Sequence, residues 1–283
     1  MVIARDDFVE EIPDPRILAG SITRDGYANP SRRLADKHIR LFHGRTLDEW
    51  FAIRCWASQY VTDWYIVGET EEHCERIRPL MEQYGGEVIC REAAHLHPIE
   101  DTGGVPMRYG LRVMLERHGW YNGVIQNFVV NPVHPPDYFD NMVKEFVRQY
   151  RGGAEGNEGP VVLQPVFRPQ LSFYAELPNG RIQIQGPPTQ NTGKSSDRWA
   201  TMGGITISSV DYLLHSWQLF FAGDWRLAFG GEAGQMKMEV PWWTEVHIDT
   251  DEEWDLAEFW FGKYIGVGDN ALQAYATYRE GWA

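Results

Sequence analysis

The sequence predicts an α/β fold with a mixed, mostly parallel sheet, and two observations carry this prediction. Short apolar runs alternate along the chain with longer segments whose apolar residues recur at helical spacing. The run over residues 124–130 is largely apolar, as expected of a parallel strand that helices cover on both faces of a sheet. A repeated β-α-β order then implies right-handed crossovers between neighbouring strands.

The elements of the first half follow from these periodicities. Leu47, Trp50, Phe51 and Cys55 share one helical face, and Thr70 suits the N-cap of the next helix. We expect strands over residues 17–23, 64–67, 87–90 and 124–130. We expect helices over residues 47–59, 70–84, 106–118 and 138–150.

The second half is richer in strands and loops. We expect strands over residues 161–166, 171–176, 181–185 and 205–208, a polar loop over 186–198 and a short helix over 210–217. The residues Leu177-Pro178-Asn179-Gly180 predict a hairpin turn between two of these strands. The domain prediction is an acidic N-terminal extension over residues 1–16 and a single domain over residues 17–283. A β-rich insertion of that domain is expected at about 160–200.

Composition and charge argue against several classes of protein. The 283 residues carry a net charge of −14, which disfavours a nucleic-acid-binding surface but permits a local cationic pocket. No apolar run is long enough for a transmembrane helix, and residues 1–15 lack the apolar core of a signal peptide. The three cysteines, Cys55, Cys74 and Cys90, form no C-x-x-C motif and their spacing predicts no disulfide framework. We therefore expect a reducing, cytoplasmic setting. We expect no membrane partner.

The strongest chemical signal is the segment Ile248-Asp249-Thr250-Asp251 near the C-terminus. At the end of a strand, Asp249 and Asp251 would point the same way, because residues i and i+2 of a strand share a face. Hard divalent cations take oxygen ligands, so we predict that both carboxylates bind one Mg²⁺ or Mn²⁺. The residues Asp255-Leu256-Ala257-Glu258 that follow suit the first turn of a helix.

Upstream segments contain residues suited to binding a nucleotide and a second substrate. Arg24 follows the first strand, and Lys37-His38-Ile39-Arg40 precedes Gly44-Arg45-Thr46-Leu47. The remaining segments are residues 63–91 with the nearby Leu96 and Asp101, the loop Asn131-Pro132-Val133-His134-Pro135, and the strand beginning Met202-Gly203-Gly204-Ile205.

In this order, the segments resemble the cytidylyltransferases that activate sugar acids, namely CMP-sialic acid synthetase and its CMP-Kdo synthetase relatives. The resemblance spans residues 17–258 and is nearly complete in the segment that contains Asp249 and Asp251. Other segments depart from the family pattern: His38, Asn131, Met202 and Thr206 stand where the family has Asn, Gln, Asn and Tyr.

The resemblance implies a three-layer, Rossmann-like nucleotidyltransferase fold of the GT-A-like type. It implies a cytoplasmic enzyme that transfers CMP from CTP, or a nucleotide from another NTP, to the hydroxyl of a nonulosonic-acid-like sugar acid. Mg²⁺ or Mn²⁺ would be required and pyrophosphate released. The family also implies a homodimer, formed through the β-rich insertion.

The same resemblance assigns roles to individual residues. Arg24 and Lys37 are expected to be catalytic, because their charges would stabilise the leaving pyrophosphate, and Asp249 and Asp251 to be catalytic as metal ligands. The expected nucleotide-binding residues are Arg24, Lys37, His38, Arg91 and Asp101. The expected substrate-binding residues are Asn131, His134, Arg198, Gly203 and Gly204.

Two other functions remain open from the sequence. A metal-dependent GT-A-type glycosyltransferase with a nucleotide-sugar donor would also contain a D-x-D, usually in mid-chain rather than near the end. A catalytically inactive scaffold or binding protein would keep the fold, and the aromatic residues over 217–243 could then form an interaction surface. Loss of Asp249 or Asp251 would favour this last function, and both are present.

Overall fold

A seven-stranded sheet lies at the centre of the protein. The computed structural model describes residues 15–24, 34, 37–91, 104–152, 162–166, 173–176, 182–185, 205–210, 213–214 and 235–282. Within them the strands are β1 (Ile17–Ile22), β2 (Val61–Gly68), β3 (Glu87–Cys90), β4 (Gly123–Asn127), β5 (Val162–Val166), β6 (Phe173–Glu176), β7 (Ile182–Gln185), β8 (Ile205–Ser208) and β9 (Gln235–Glu239).

The strand order in the sheet is β3-β2-β1-β4-β8-β5-β9. β1 pairs in parallel with β2 and β4, and β2 pairs in parallel with β3. β8 runs antiparallel to β4 and β5, whereas β5 and β9 are parallel. The predicted mixed, mostly parallel sheet is confirmed. The predicted hairpin is also present, because β6 and β7 pair antiparallel; its turn lies outside the described residues.

The described helices are α1 (Leu47–Ala57), α2 (Glu71–Gln83), α3 (Gly104–His118), α4 (Tyr138–Gly152), α5 (Asp251–Tyr264) and α6 (Asp269–Glu280), with a 3₁₀ helix at Trp242–Glu245. The predicted helices agree with α1 to α4 within two residues at each end. The Thr70 side chain accepts a hydrogen bond from the His73 amide, so the predicted N-cap of α2 is confirmed. No helix in the described parts is long and apolar enough to cross a membrane.

The strand predicted over residues 124–130 is too long. β4 ends at Asn127, and the amide of Asn131 donates to the carbonyl of Phe128 at 3.0 Å, which turns the chain away from the sheet. Val129 and Val130 are nevertheless buried in the core. Their apolar character therefore reflects core packing of a loop, which periodicity cannot distinguish from a strand.

The core lies on both faces of the sheet. Ile17 and Ala19 belong to one buried cluster together with Trp50 of α1, whereas Leu18 belongs to a second cluster together with Leu111 of α3. Successive residues of a strand point to opposite faces, so β1 contributes to both clusters. Helices thus cover both faces of the sheet, as the three-layer prediction requires.

Two of the three cysteines are paired, contrary to the expectation of no disulfide framework. Cys74 of α2 and Cys90 of β3 form a disulfide with a Cα–Cα distance of 5.9 Å, and Cys55 is a buried free thiol. The two cysteines are 16 residues apart and match no disulfide or metal motif. They meet because α2 packs against β3, a contact that the spacing of cysteines in a sequence does not reveal.

Candidate functional site

Three strands end side by side at one edge of the sheet. The amide of Thr23, just beyond β1, donates to the carbonyl of Val67 in β2 at 3.1 Å. The amide of Arg91, just beyond β3, donates to the carbonyl of Gly68 at 3.1 Å, and its guanidinium donates to the carbonyl of Thr23 at 3.4 Å. Ligands of open α/β sheets bind at the carboxyl ends of the strands, so this edge is the candidate site.

Cationic side chains are concentrated at this edge. His38 is almost fully buried, and burial lowers the pKa of its ring to about 3. Lys37, His73, Arg24 and Arg91 add to this lowering in that order, so all of them lie within electrostatic range of His38. The ring is therefore neutral at physiological pH, and Lys37, Arg24 and Arg91 place positive charge near it in a chain of net charge −14.

A buried carboxyl group lies next to the end of β1. The hydroxyl of Thr23 donates to Oδ2 of Asp48 at 3.1 Å, while Oδ1 of Asp48 has no hydrogen-bond partner. Burial raises the pKa of Asp48 to about 7, against a small opposite effect of the Thr23 bond. Asp48 is thus poised to change charge near neutral pH, although the sequence prediction did not include it.

The geometry predicted for Asp249 and Asp251 is wrong. No strand ends at these residues: Thr250 is the N-cap of α5 and Asp251 is its first residue. The Thr250 hydroxyl accepts from the Glu253 amide, and the Glu253 carboxylate accepts from the Thr250 amide at 2.9 Å, which is a capping box. The helix consequently begins at Asp251, and Asp255 lies in its second turn.

Both aspartates form ion pairs with the turn at residues 37–40. Lys37 Nζ lies 2.7 Å from Oδ1 of Asp249 and donates to the Ile248 carbonyl at 2.9 Å. Arg40 Nη1 lies 2.9 Å from Oδ1 of Asp251. The Asp249 side chain is 16% exposed and that of Asp251 is 72% exposed. The Lys37–Asp249 pair is therefore the more buried of the two and is called the inner pair; the Arg40–Asp251 pair is called the outer pair.

The described residues partly fit a divalent cation. Within the described parts of the chain, no group of three or more His, Cys, Asp or Glu side chains could hold a metal ion. Asp249 offers a carboxylate beside the cationic pocket, with Oδ1 on Lys37 and Oδ2 at 3.3 Å from Nδ1 of His247. Asp251 is instead directed at Arg40. The assignment of both aspartates as metal ligands stays a prediction.

The loop after β4 is joined to the segment that contains Asp249. The amide of Ile248 donates to the Val130 carbonyl at 2.9 Å. Asn131 and His134 in this loop are completely buried, and the His134 ring stacks on Tyr138 with centroids 4.3 Å apart. Burial, and then the charge of Arg54, hold the pKa of His134 well below its usual value, so the ring is neutral. A role of both residues in substrate binding stays a prediction.

The structure brings Arg24, Lys37, His38 and Arg91 together, as the sequence-based assignment expects. The predicted residues Asp101, Arg198, Gly203 and Gly204 lie outside the described residues. Sequence reasoning missed His73, Arg40 and Asp48. A signal for Asp48 existed, since it is an acidic residue in the first turn of a helix whose buried residues are mostly apolar.

Comparison with known proteins finds likeness in structure only. No protein-family model matches the chain, and no curated protein matches it in sequence. A 4-diphosphocytidyl-2C-methyl-D-erythritol synthase from Anaerococcus prevotii is similar with a TM-score of 0.61 and 9% identity, over 89% of this chain and 98% of that one.

Two further solved structures are also cytidylyltransferases. A CMP:2-keto-3-deoxy-manno-octonic acid synthetase, solved in complex with CTP, has a TM-score of 0.57 and 12% identity over 88% of this chain and 99% of its own. A cytidylyltransferase from Leptospira borgpetersenii has a TM-score of 0.54 and 14% identity over 95% and 93%. The chain therefore has the α/β nucleotidyltransferase fold that these cytidylyltransferases share.

Proposed function

We propose that this protein is a cytidylyltransferase that transfers CMP from CTP to the hydroxyl of a sugar acid and releases pyrophosphate. The observation that carries the proposal is the group of cationic side chains around His38, at the carboxyl ends of β1 and β3. We interpret this group as the binding site of a polyphosphate, because it lies on a fold that three cytidylyltransferases share. The choice of CTP follows from those neighbours, one of which was solved with CTP.

In this reaction the oxygen of the acceptor hydroxyl forms a bond to the α-phosphorus of CTP. The bond from that phosphorus to its bridging oxygen breaks, pyrophosphate leaves with the bonding electrons, and the hydroxyl proton passes to solvent or a nearby base. Positioning and charge neutralisation supply most of the catalysis in such transfers. Arg24, Lys37 and Arg91 would hold the triphosphate and stabilise the charge that grows on the leaving group.

The Lys37–Asp249 ion pair has a consequence for this mechanism. Lys37 donates to Asp249 and to the Ile248 carbonyl, which leaves one of the three N–H groups of its ammonium for a phosphate oxygen. Asp249 keeps further lone pairs with which it could bind a cation. We include Mg²⁺ or Mn²⁺ in the proposal, with Asp249 and Asp251 as protein ligands, and such a cation would supply neutralisation at the α-phosphate.

The acceptor, the homodimer and the cytoplasmic location are proposals of the same kind. A sugar acid follows from the resemblance in sequence and from the neighbour that is a synthetase of CMP:2-keto-3-deoxy-manno-octonic acid. The other neighbour's product is 4-diphosphocytidyl-2C-methyl-D-erythritol, so a phosphorylated polyol belongs among the acceptors to be tested.

The decisive experiment is an assay of pyrophosphate release. The protein is incubated with each of the four NTPs, with Mg²⁺ or Mn²⁺, and with a panel of sugar acids and 2C-methyl-D-erythritol phosphate. We expect release with CTP and one acceptor class, and loss of release in Lys37→Met. Arg148→Met is the matched control, because Arg148 is an exposed cation on α4 that pairs with Glu145.

The same assay separates the alternatives. Consumption of a nucleotide-sugar donor without pyrophosphate would establish a glycosyltransferase instead. If the protein binds CTP but turns over no acceptor in the panel, the nucleotide part of the proposal would be supported and the proposed acceptor class contradicted. The absence of both CTP binding and turnover would overturn the proposed function.

A further inference from the structure

Arg54 is a buried cation without a carboxylate partner. It lies in the last turn of α1 and is 2% exposed. Its Nη1 donates to the Pro132 carbonyl at 3.0 Å and its Nη2 donates to Oδ1 of Asn127 at 3.0 Å. Both acceptors are neutral, and among the described residues no acidic side chain forms an ion pair with Arg54. Glu245, a buried carboxylate bonded to the Tyr138 hydroxyl at 2.8 Å, is not bonded to Arg54.

Unused hydrogen-bond donors accompany this charge. Nε of Arg54 and the side-chain amide nitrogens of Asn127 and Asn131 are buried and have no hydrogen-bond partner, and the same holds for the acceptor Oδ1 of Asn131. Asn127 contacts Arg54 directly, and Asn131 precedes Pro132, whose carbonyl Arg54 also binds. Both asparagines are completely buried. The ring nitrogens of His134 also lack a hydrogen bond of normal geometry, although the ring interacts with the Thr244 backbone.

A folded protein does not leave such a set of groups uncompensated. Buried polar groups are almost always hydrogen-bonded, and a buried charge is normally paired. A water molecule could satisfy the free amide nitrogens, but it would not neutralise the guanidinium. A small anion would do both, since it accepts from several N–H groups at once and supplies the missing negative charge.

We propose that Arg54, Asn127 and Asn131 form a buried site for a small monovalent anion of the size of chloride. We infer a small anion from burial, because these residues are at most 2% exposed. The anion would hold the loop after β4 against α1. The loop is in turn bonded to Ile248, next to the predicted metal ligand Asp249. This proposal does not rest on the proposed cytidylyl transfer, and it gives Asn131 a role other than the predicted one in substrate binding.

Thermal unfolding tests the site without any assay of activity. The protein is compared in chloride, bromide and gluconate salts of sodium at equal ionic strength, because gluconate is a much larger anion than chloride or bromide. We expect chloride and bromide to raise Tm by about 3 °C over gluconate, with saturation as chloride increases. This rise should be absent in Arg54→Met and unchanged in the surface control Arg148→Met. Equal Tm values in all three salts would overturn the proposal, as would an equal chloride effect in Arg54→Met.

A second variant covers the case in which Arg54→Met does not fold. Asn131→Ala keeps the cation and removes one donor, so it should need about tenfold more chloride for the same rise in Tm. An unchanged chloride requirement would contradict the proposed ligand set. Crystals grown in bromide provide a direct readout: anomalous density beside Arg54 Nε supports the site, and a water molecule alone at that position overturns it.

Discussion

The inner and outer ion pairs of the 37–40 turn join the same two segments of chain but lie in different surroundings. Lys37 and Asp249 are 7% and 16% exposed, whereas Arg40 and Asp251 are 34% and 72% exposed. A buried pair costs several kcal/mol when one partner is removed, while an exposed pair contributes about 0–1 kcal/mol. The two aspartates of one D-x-D motif should therefore contribute differently to stability, and the inner pair should contribute more.

Asp48 sharpens this comparison, because it is a buried carboxyl group without the cation that Asp249 has. Its folded pKa of about 7 exceeds the ordinary value of 3.8, so the folded state binds the proton more tightly. Stability should therefore fall as pH rises from about 4 to about 7, by up to about 4 kcal/mol. In Asp48→Asn this loss should disappear, and the variant should be more stable than the parent at about pH 8. Urea unfolding across this pH range measures it, and parallel curves for the two proteins would contradict it.

The inner pair should give the next largest effect. Lys37→Met leaves Asp249 mostly buried without its ammonium partner, and we expect a loss of about 3 kcal/mol in the free energy of unfolding. Asp249→Asn combined with Lys37→Met should recover part of this loss, because no charge then remains unpaired. Urea denaturation of the two single variants and the double variant measures the coupling. A loss below about 1 kcal/mol in Lys37→Met would show that the inner pair is no stronger than a surface pair.

The start of α5 decides whether the two aspartates can share a strand face. If Thr250 caps the helix, Thr250→Ala should cost about 1 kcal/mol in the free energy of unfolding. Thr70→Ala is the matched control, since Thr70 caps α2 through the same type of bond, to the His73 amide. Similar losses in both variants would confirm the cap. A loss of stability in Thr70→Ala but not in Thr250→Ala would contradict the N-cap at Thr250.

The outer pair should give the smallest effect. Arg40 also lies over the Trp254 ring at 4.4 Å, so Arg40→Met keeps apolar packing while it removes the charge. A double-mutant cycle of Arg40→Met with Asp251→Asn should yield a coupling of about 0.5 kcal/mol or less, which high salt should abolish. A coupling energy as large as that of the inner pair would contradict the expectation that burial makes the inner pair the stronger one.

Much of the fold follows from local patterns in the sequence. Thr70 was identifiable as an N-cap from its side chain, and the helical spacing of Leu47, Trp50 and Phe51 predicted α1. The capping box was equally local: Thr250 followed by Glu253 is the S/T-x-x-E pattern of a helix start. The alternation of carboxylates in Asp249-Thr250-Asp251 fits the end of a strand, whereas Thr250 and Glu253 fit the start of a helix. The two local patterns overlap, and the structure contains the helix start.

Other features depended on contacts between distant segments. Lys37 and Asp249 are separated by 212 residues, and nothing in either segment states that they pair. The same holds for Cys74 and Cys90, which are brought together by the packing of α2 on β3. The burial of His134 could not be predicted from the sequence either. It depends on contacts with the side chains of Tyr138 and Tyr275, which a local pattern around His134 does not reveal.

By itself, the sequence determined the α/β class, the parallel strands and the identity of the cations that gather at their carboxyl ends. These properties depend on periodicity, capping and residue type, which act within a few neighbours along the chain. Only the tertiary structure decided which charges are paired and which are buried without compensation. Asp249 forms an ion pair with Lys37, Asp48 accepts a hydrogen bond from a hydroxyl, and Arg54 donates hydrogen bonds to neutral oxygens. Pairing and burial depend on the distance and dielectric between segments far apart in sequence, and folding alone sets both.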